Sequence, residues 1–134
     1  MKLISLGILS VYGAAALHAS TLPPEWEKAM EDYCALPSKL VPVLEQVTDT
    51  KTADQAAPKL HALLKDVYGV CTELQNIKAL SKEQATEVKT RYEKQMREEW
   101  AKVFKQIFRL QKAQCFQSSL FNQQFQLLVM MLEQ

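Results

Sequence analysis

The chain has 134 residues, of which 48% are apolar, 23% charged and 8% aromatic, and it holds only 3 glycines and 5 prolines. This length and composition fit one globular domain and exclude a disordered tail or a collagen-like chain. They also argue against an all-β sandwich or barrel, which needs turn residues about every 8–12 positions. The net charge of +1 provides no basic surplus for tight binding to nucleic acid.

The first 19 residues have the order of a secretory signal peptide. Lys2 precedes an apolar run that ends at Leu17, and small residues suited to signal cleavage lie around its end. Cleavage after Ala16 or after Ala19 would start the mature chain at Leu17 or Ser20. The apolar run is shorter than the roughly 20 residues of a membrane span. We therefore predict a periplasmic or secreted protein without stable membrane insertion after cleavage.

The remaining residues, 20–134, are predicted to form a single all-α domain. Apolar side chains recur at intervals of three and four, which is typical of one face of a helix. The predicted helices cover residues 24–47, 52–78, 82–113 and 118–132. No glycine or proline separates the third from the fourth. The prediction is an antiparallel three-helix bundle with a long third helix, or with that helix broken to give a fourth.

Helix starts are marked by two capping boxes, in which a side chain at the start of the helix and one three residues later satisfy each other's backbone groups. Thr52 with Gln55 predicts the start of the second helix, and Ser81 with Gln84 predicts the start of the third. Prolines fall inside the first two predicted helices and favour kinks or breaks there, because proline lacks a backbone N–H group.

The chain has three cysteines and is predicted to be exported. Disulfides persist in the oxidising compartments outside the cytoplasm. Cys34 and Cys71 lie on the apolar stripes of the first two predicted helices and at equal distances from the turn near residue 52. We predict a Cys34–Cys71 disulfide, the alternative being two reduced core cysteines. Cys115 is left over, as a free thiol or as the source of an intermolecular bridge.

Catalytic groups are scarce, so no enzyme, cofactor or metal site is predicted. If cleavage follows Ala19, the mature chain holds one histidine, His61, and it has no metal-binding or haem-attachment motif and no glycine-rich phosphate loop. A lone histidine flanked by leucines is typical of an ordinary helix residue.

The C-terminal segment is apolar and nearly uncharged, with Glu133 its only charged side chain. A helical stripe of large apolar residues runs along it: Phe121, Phe125, Leu128 and Leu132. Two arrangements would cover this stripe. Self-association with a second copy, as a homodimer, is the prediction, and folding back as a fourth helix is the alternative.

Two short stretches resemble known families. Residues 48–60, TDTKTADQAAPKL, resemble a turn-plus-helix element of uncharacterised secreted proteins of verrucomicrobial and planctomycete type, a resemblance that implies no activity. Residues 80–84, LSKEQ, are similar to the Leu-Thr-x-x-Gln motif of Spy-like periplasmic chaperones, with Ser81 in place of threonine and one copy where that family normally carries two. The second resemblance implies amphipathic helices that cradle unfolded client proteins.

The sequence predicts an exported helical interaction or structural protein of the cell envelope. The alternative is a Spy-like periplasmic chaperone or envelope-stress protein. A haem or metal carrier is a third class, retained only because helical bundles often hold such sites.

Overall fold

The computed structural model describes residues 22–133, which form four α-helices and one short turn of helix. The helices are α1 (Pro24–Glu45), α2 (Thr50–Asn76), α3 (Lys82–Lys112) and α4 (Ser119–Leu132). Each of their ends lies within two residues of the predicted boundary. The all-α prediction is confirmed, and of its two forms the chain adopts the one with four helices. The predicted signal peptide lies outside the described residues.

Helices α1 and α2 form an antiparallel hairpin. Proline at the first position of α1 is compatible with helix initiation, while Pro37 and Pro42 lie within the helix without ending it. The start of α2 differs from the prediction. Asp49, and not Thr52, is the N-cap, and Thr52 takes the third position of the capping box. The Asp49 carboxylate accepts the Thr52 N–H at 2.7 Å, so the cap lies three residues earlier than predicted and the helix begins at Thr50.

Helix α3 runs parallel to α1 and begins at the predicted capping box of Ser81 and Gln84. Near its start, Arg91 forms an ion pair with Glu27 of α1 at 3.3 Å. Near its end, the Arg109 guanidinium donates to the carbonyl oxygens of Leu44 and Val47, both at 2.8 Å. Helix α1 has no basic residue in its last turn, so α3 supplies the positive group that its carbonyl end favours.

Helix α4 folds back and packs along α2. The Ser118 hydroxyl contacts Asp54, and Gln124 contacts His61, so the two helices run in the same direction. The apolar stripe of α4 lies in the core, since each of its four residues is at most 1% exposed: Phe121, Phe125, Leu128 and Leu132. Their assignment to self-association is therefore wrong. The chain covers the stripe itself because the backbone turns sharply after α3.

One hydrophobic core joins all four helices. Its largest fully buried side chains include two tryptophans, a tyrosine and two phenylalanines. Tyr33 of α1 and Trp100 of α3 stack with their ring centroids 4.9 Å apart, which fixes these parallel helices against each other.

Candidate functional site

The connection between α3 and α4 is a left-handed turn over Gln114–Gln117. The φ angles of its four residues are 54°, 51°, 51° and 61°, and none of the four is glycine. In this region the side chain crowds the following carbonyl group, at a cost of about 1–2 kcal/mol per residue. This left-handed conformation reverses the direction of the chain within a few residues and without glycine or proline.

Neighbouring groups hold the left-handed turn in place. The Thr50 hydroxyl donates to the Phe116 carbonyl oxygen at 2.6 Å, which ties the turn to the start of α2. Within the turn, the Phe116 N–H donates to the Ala113 carbonyl and the Ser118 N–H to the Cys115 carbonyl. Cys115 itself is only 2% exposed and anchors the turn to the core. Strained backbone persists where its surroundings determine it in this way.

Ser118 completes the junction as the N-cap of α4. Its side-chain oxygen accepts the Phe121 N–H at 3.1 Å, and its hydroxyl donates to the Asp54 carboxylate of α2. Ser118 is only 2% exposed, and its hydroxyl has both a donor and an acceptor partner within the protein. One buried side chain therefore both starts α4 and fixes it against α2.

A cleft of about 450 Å³ opens beside the left-handed turn, between the end of α3 and the first two turns of α4. Phe125 and Cys115, both buried, lie beneath it. The other residues that line it are polar: Gln111, Gln114, Gln117, Ser118, Ser119, Asn122 and Gln126. None of these described lining residues is charged. We call this site the amide cleft.

Helix α4 also carries an apolar face directed to solvent. Leu120, Leu127 and Met130 are 57%, 44% and 60% exposed. Their spacing of seven and three residues places them on one side of the helix, opposite the buried stripe. No residue of α4 is charged, so no ion pair or repulsion acts across this surface. We call these three residues the outer face of α4.

The predicted disulfide is absent. All three cysteines are free and buried, and no two of them lie within disulfide distance. The predicted register is nevertheless present. Lys39 pairs with Asp66 and Lys59 with Gln46, and each pair is centred between residues 52 and 53, as Cys34 and Cys71 are. Being level is insufficient, because a disulfide also needs Cα atoms about 4.4–6.8 Å apart and Cβ atoms directed at each other.

Burial makes the thiols poor nucleophiles. It raises the pKa of Cys34 to about 11, with a smaller contribution from Glu99, and it raises the pKa of Cys71 as well. Cys115 is a free thiol whose pKa is also raised by burial to about 11. Since Cys115 is almost fully covered, it is not placed to bridge two chains.

Three buried polar atoms in the described part of the chain have no hydrogen-bond partner: the hydroxyls of Tyr33 and Tyr92 and the indole Nε1 of Trp100. Both tyrosines have a raised pKa, chiefly because burial disfavours the phenolate. Both side chains belong to the hydrophobic core, where the neutral rings contribute to packing.

Residues 22–133 contain no group of three or more histidine, cysteine or acidic side chains placed to hold a metal ion. His61 is exposed and its Nδ1 lies 3.0 Å from the Gln124 side-chain oxygen, which gives it a place in the α2–α4 contact. No helix among the described residues is both long and apolar enough to cross a membrane.

Comparison with known proteins gives no relative: no family model, no curated protein and no solved structure matches the chain. The sequence did not indicate the left-handed turn or the amide cleft, because four non-glycine residues with positive φ leave no compositional signal. The run of glutamines at residues 111–126 is the one feature that could have drawn attention to the cleft.

Proposed function

We propose that this chain is an exported interaction protein of the cell envelope that self-associates through the outer face of α4. Export rests on the signal-like order of residues 1–19. Self-association rests on one observation. Of the five large hydrophobic side chains that the described residues expose, three lie together on this face: Leu120, Leu127 and Met130.

Electrostatics favours a second copy as the occupant. A charged partner surface would lose its hydration against α4 and gain no opposite charge in return, because α4 carries none. The same face on a second chain is apolar and uncharged, so it complements itself across a two-fold axis. Gln123, exposed between these apolar residues, offers an amide that both donates and accepts hydrogen bonds to its counterpart.

The alignment of α2 with α4 adds a residue of α2 to this surface. The Asp54–Ser118 and His61–Gln124 contacts place Tyr68 level with the end of α4. Tyr68 is 62% exposed and adds an aromatic side chain at that end. The surface is still small, since α4 is about 21 Å long, so a weak dimer is expected.

Sedimentation velocity of the mature protein from about 1 to about 100 µM tests self-association. The sedimentation coefficient should rise with concentration in the native protein and stay at the monomer value in the L127Q/M130Q variant. Phe108→Gln is the matched control, since Phe108 is 61% exposed on α3, away from the outer face, and should still permit association. A native protein that stays monomeric throughout would overturn the proposal.

Intact-mass measurement of the exported protein tests its destination separately. We expect a mature chain that begins at Leu17 or Ser20. Retention of Met1 would contradict export through a cleaved signal.

The Spy-like chaperone is less well supported as a second candidate. A cradle for unfolded clients needs apolar helix faces open to solvent, while the main apolar faces of all four helices are packed in one core.

A further inference from the structure

We infer that the amide cleft is a binding site for a neutral oligosaccharide. This inference goes beyond the proposed function and does not depend on it, because no residue of the outer face of α4 lines the cleft. The cleft is open to solvent and has a volume of about 450 Å³, which lies within the usual range of small-molecule sites.

The lining has the chemistry of a hydroxyl-binding surface. Five carboxamide side chains converge on the cleft: Gln111, Gln114, Gln117, Asn122 and Gln126. Each carboxamide offers both donors and an acceptor, as a sugar hydroxyl does. An ionic ligand would find no opposite charge among these described lining residues, so a neutral ligand rich in hydroxyl groups fits best.

An exposed aromatic side chain precedes the cleft lining by one helical turn. Phe108 lies one helical turn before Gln111 on the same side of α3 and is 61% exposed. The negative face of an aromatic ring attracts the polarised C–H groups on the flat side of a sugar ring. Carboxamides for the hydroxyl groups and a ring for the C–H face are the two contacts that a saccharide requires.

The strained backbone supplies an independent argument. Gln114 and Gln117 stand at the two ends of the left-handed turn, with φ angles of 54° and 61°. Such strain is concentrated at functional sites, where it fixes groups that bind a ligand. An extended peptide is the less suitable ligand, since peptide recognition also needs apolar pockets for side chains or a free sheet edge.

Titration of the isotope-labelled full chain with tetra-N-acetylchitotetraose, followed by amide NMR, tests the inference. We expect saturable shifts at the cleft carboxamides with a dissociation constant of about 1 mM. N-acetyl-tetraalanine amide, a neutral peptide, should leave these signals unchanged.

Substitutions separate the cleft from the rest of the surface. Gln111→Ala and Asn122→Ala should each weaken binding about two- to tenfold, the range expected for one lost hydrogen bond. Gln95→Ala removes an amide that is also exposed, about 24 Å further back along α3, and should leave binding unchanged. Phe108→Ala should weaken binding, while Tyr68→Ala should not.

Three outcomes would overturn the inference: no saturable shift up to about 10 mM saccharide, shifts with the peptide alone, or shifts that the cleft substitutions leave intact. Circular dichroism of each variant establishes that its helices are retained.

Discussion

At the scale of single residues, Gln117 occupies a backbone conformation that glycine adopts without a steric penalty. Its φ of 61° is positive and its side chain is exposed. Gln117→Gly should therefore raise the free energy of unfolding by roughly 0.5–1 kcal/mol, the relief of strain less the added freedom of the unfolded chain. Urea denaturation measures this change. Gln95→Gly, in the middle of α3, should instead lower stability by about 1 kcal/mol, and equal losses at both sites would contradict the left-handed turn.

The buried thiols make stability dependent on alkaline pH. The pKa of Cys34 and of Cys115 is raised by burial to about 11, above the unfolded value near 8.5. A raised pKa in the folded state means that the unfolded chain loses its thiol protons first. The stabilisation is thus fully present below about pH 8.5 and is lost as the pH rises towards 11.

Urea denaturation at several pH values between about 8 and 10 should show a falling free energy of unfolding. Cys34→Ala should make the fall less steep, because one of the shifted groups is removed. A pH-independent stability in the native protein would show that the thiols are not buried as described.

At the scale of elements, α4 depends on its N-cap. Ser118→Ala removes both the bond to the Phe121 N–H and the bond to Asp54, and should cost about 1–2 kcal/mol of stability. Ser119→Ala is the matched control, since its side chain is exposed and should change stability by no more than about 0.5 kcal/mol. Urea denaturation of the two variants measures the loss of stability in each. Equal losses would contradict the assigned cap.

The individual helices could be predicted from sequence because each signal is local. Apolar residues at intervals of three and four indicate the buried faces, and Ser81 with Gln84 marks the start of α3 through its own side chains. The cap of α2 was misplaced because Thr52 suits both roles, as an N-cap and as the partner of Asp49. Both assignments use the same hydrogen-bonding chemistry, so only the geometry separates them.

At the scale of the whole molecule, the route of the chain after α3 could not be predicted. The reversal rests on four strained residues held by distant groups, above all by Thr50 and by the core contacts of Cys115. Those contacts exist only once α2 and α3 are in place. The amide cleft depends on the same reversal, so a sequence shows its glutamines without showing that they converge.

The two apolar sides of α4 therefore have different roles, one in the core and one at the surface. Equilibrium urea denaturation of Phe125→Ala and Leu127→Ala at low protein concentration tests this division most directly. Phe125 is 1% exposed and Leu127 is 44% exposed. Phe125→Ala should lower the free energy of unfolding by about 3–5 kcal/mol or leave the protein unfolded without urea, while Leu127→Ala should change it by less than about 1 kcal/mol. Equal effects, or a larger loss at Leu127, would contradict the folded-back helix.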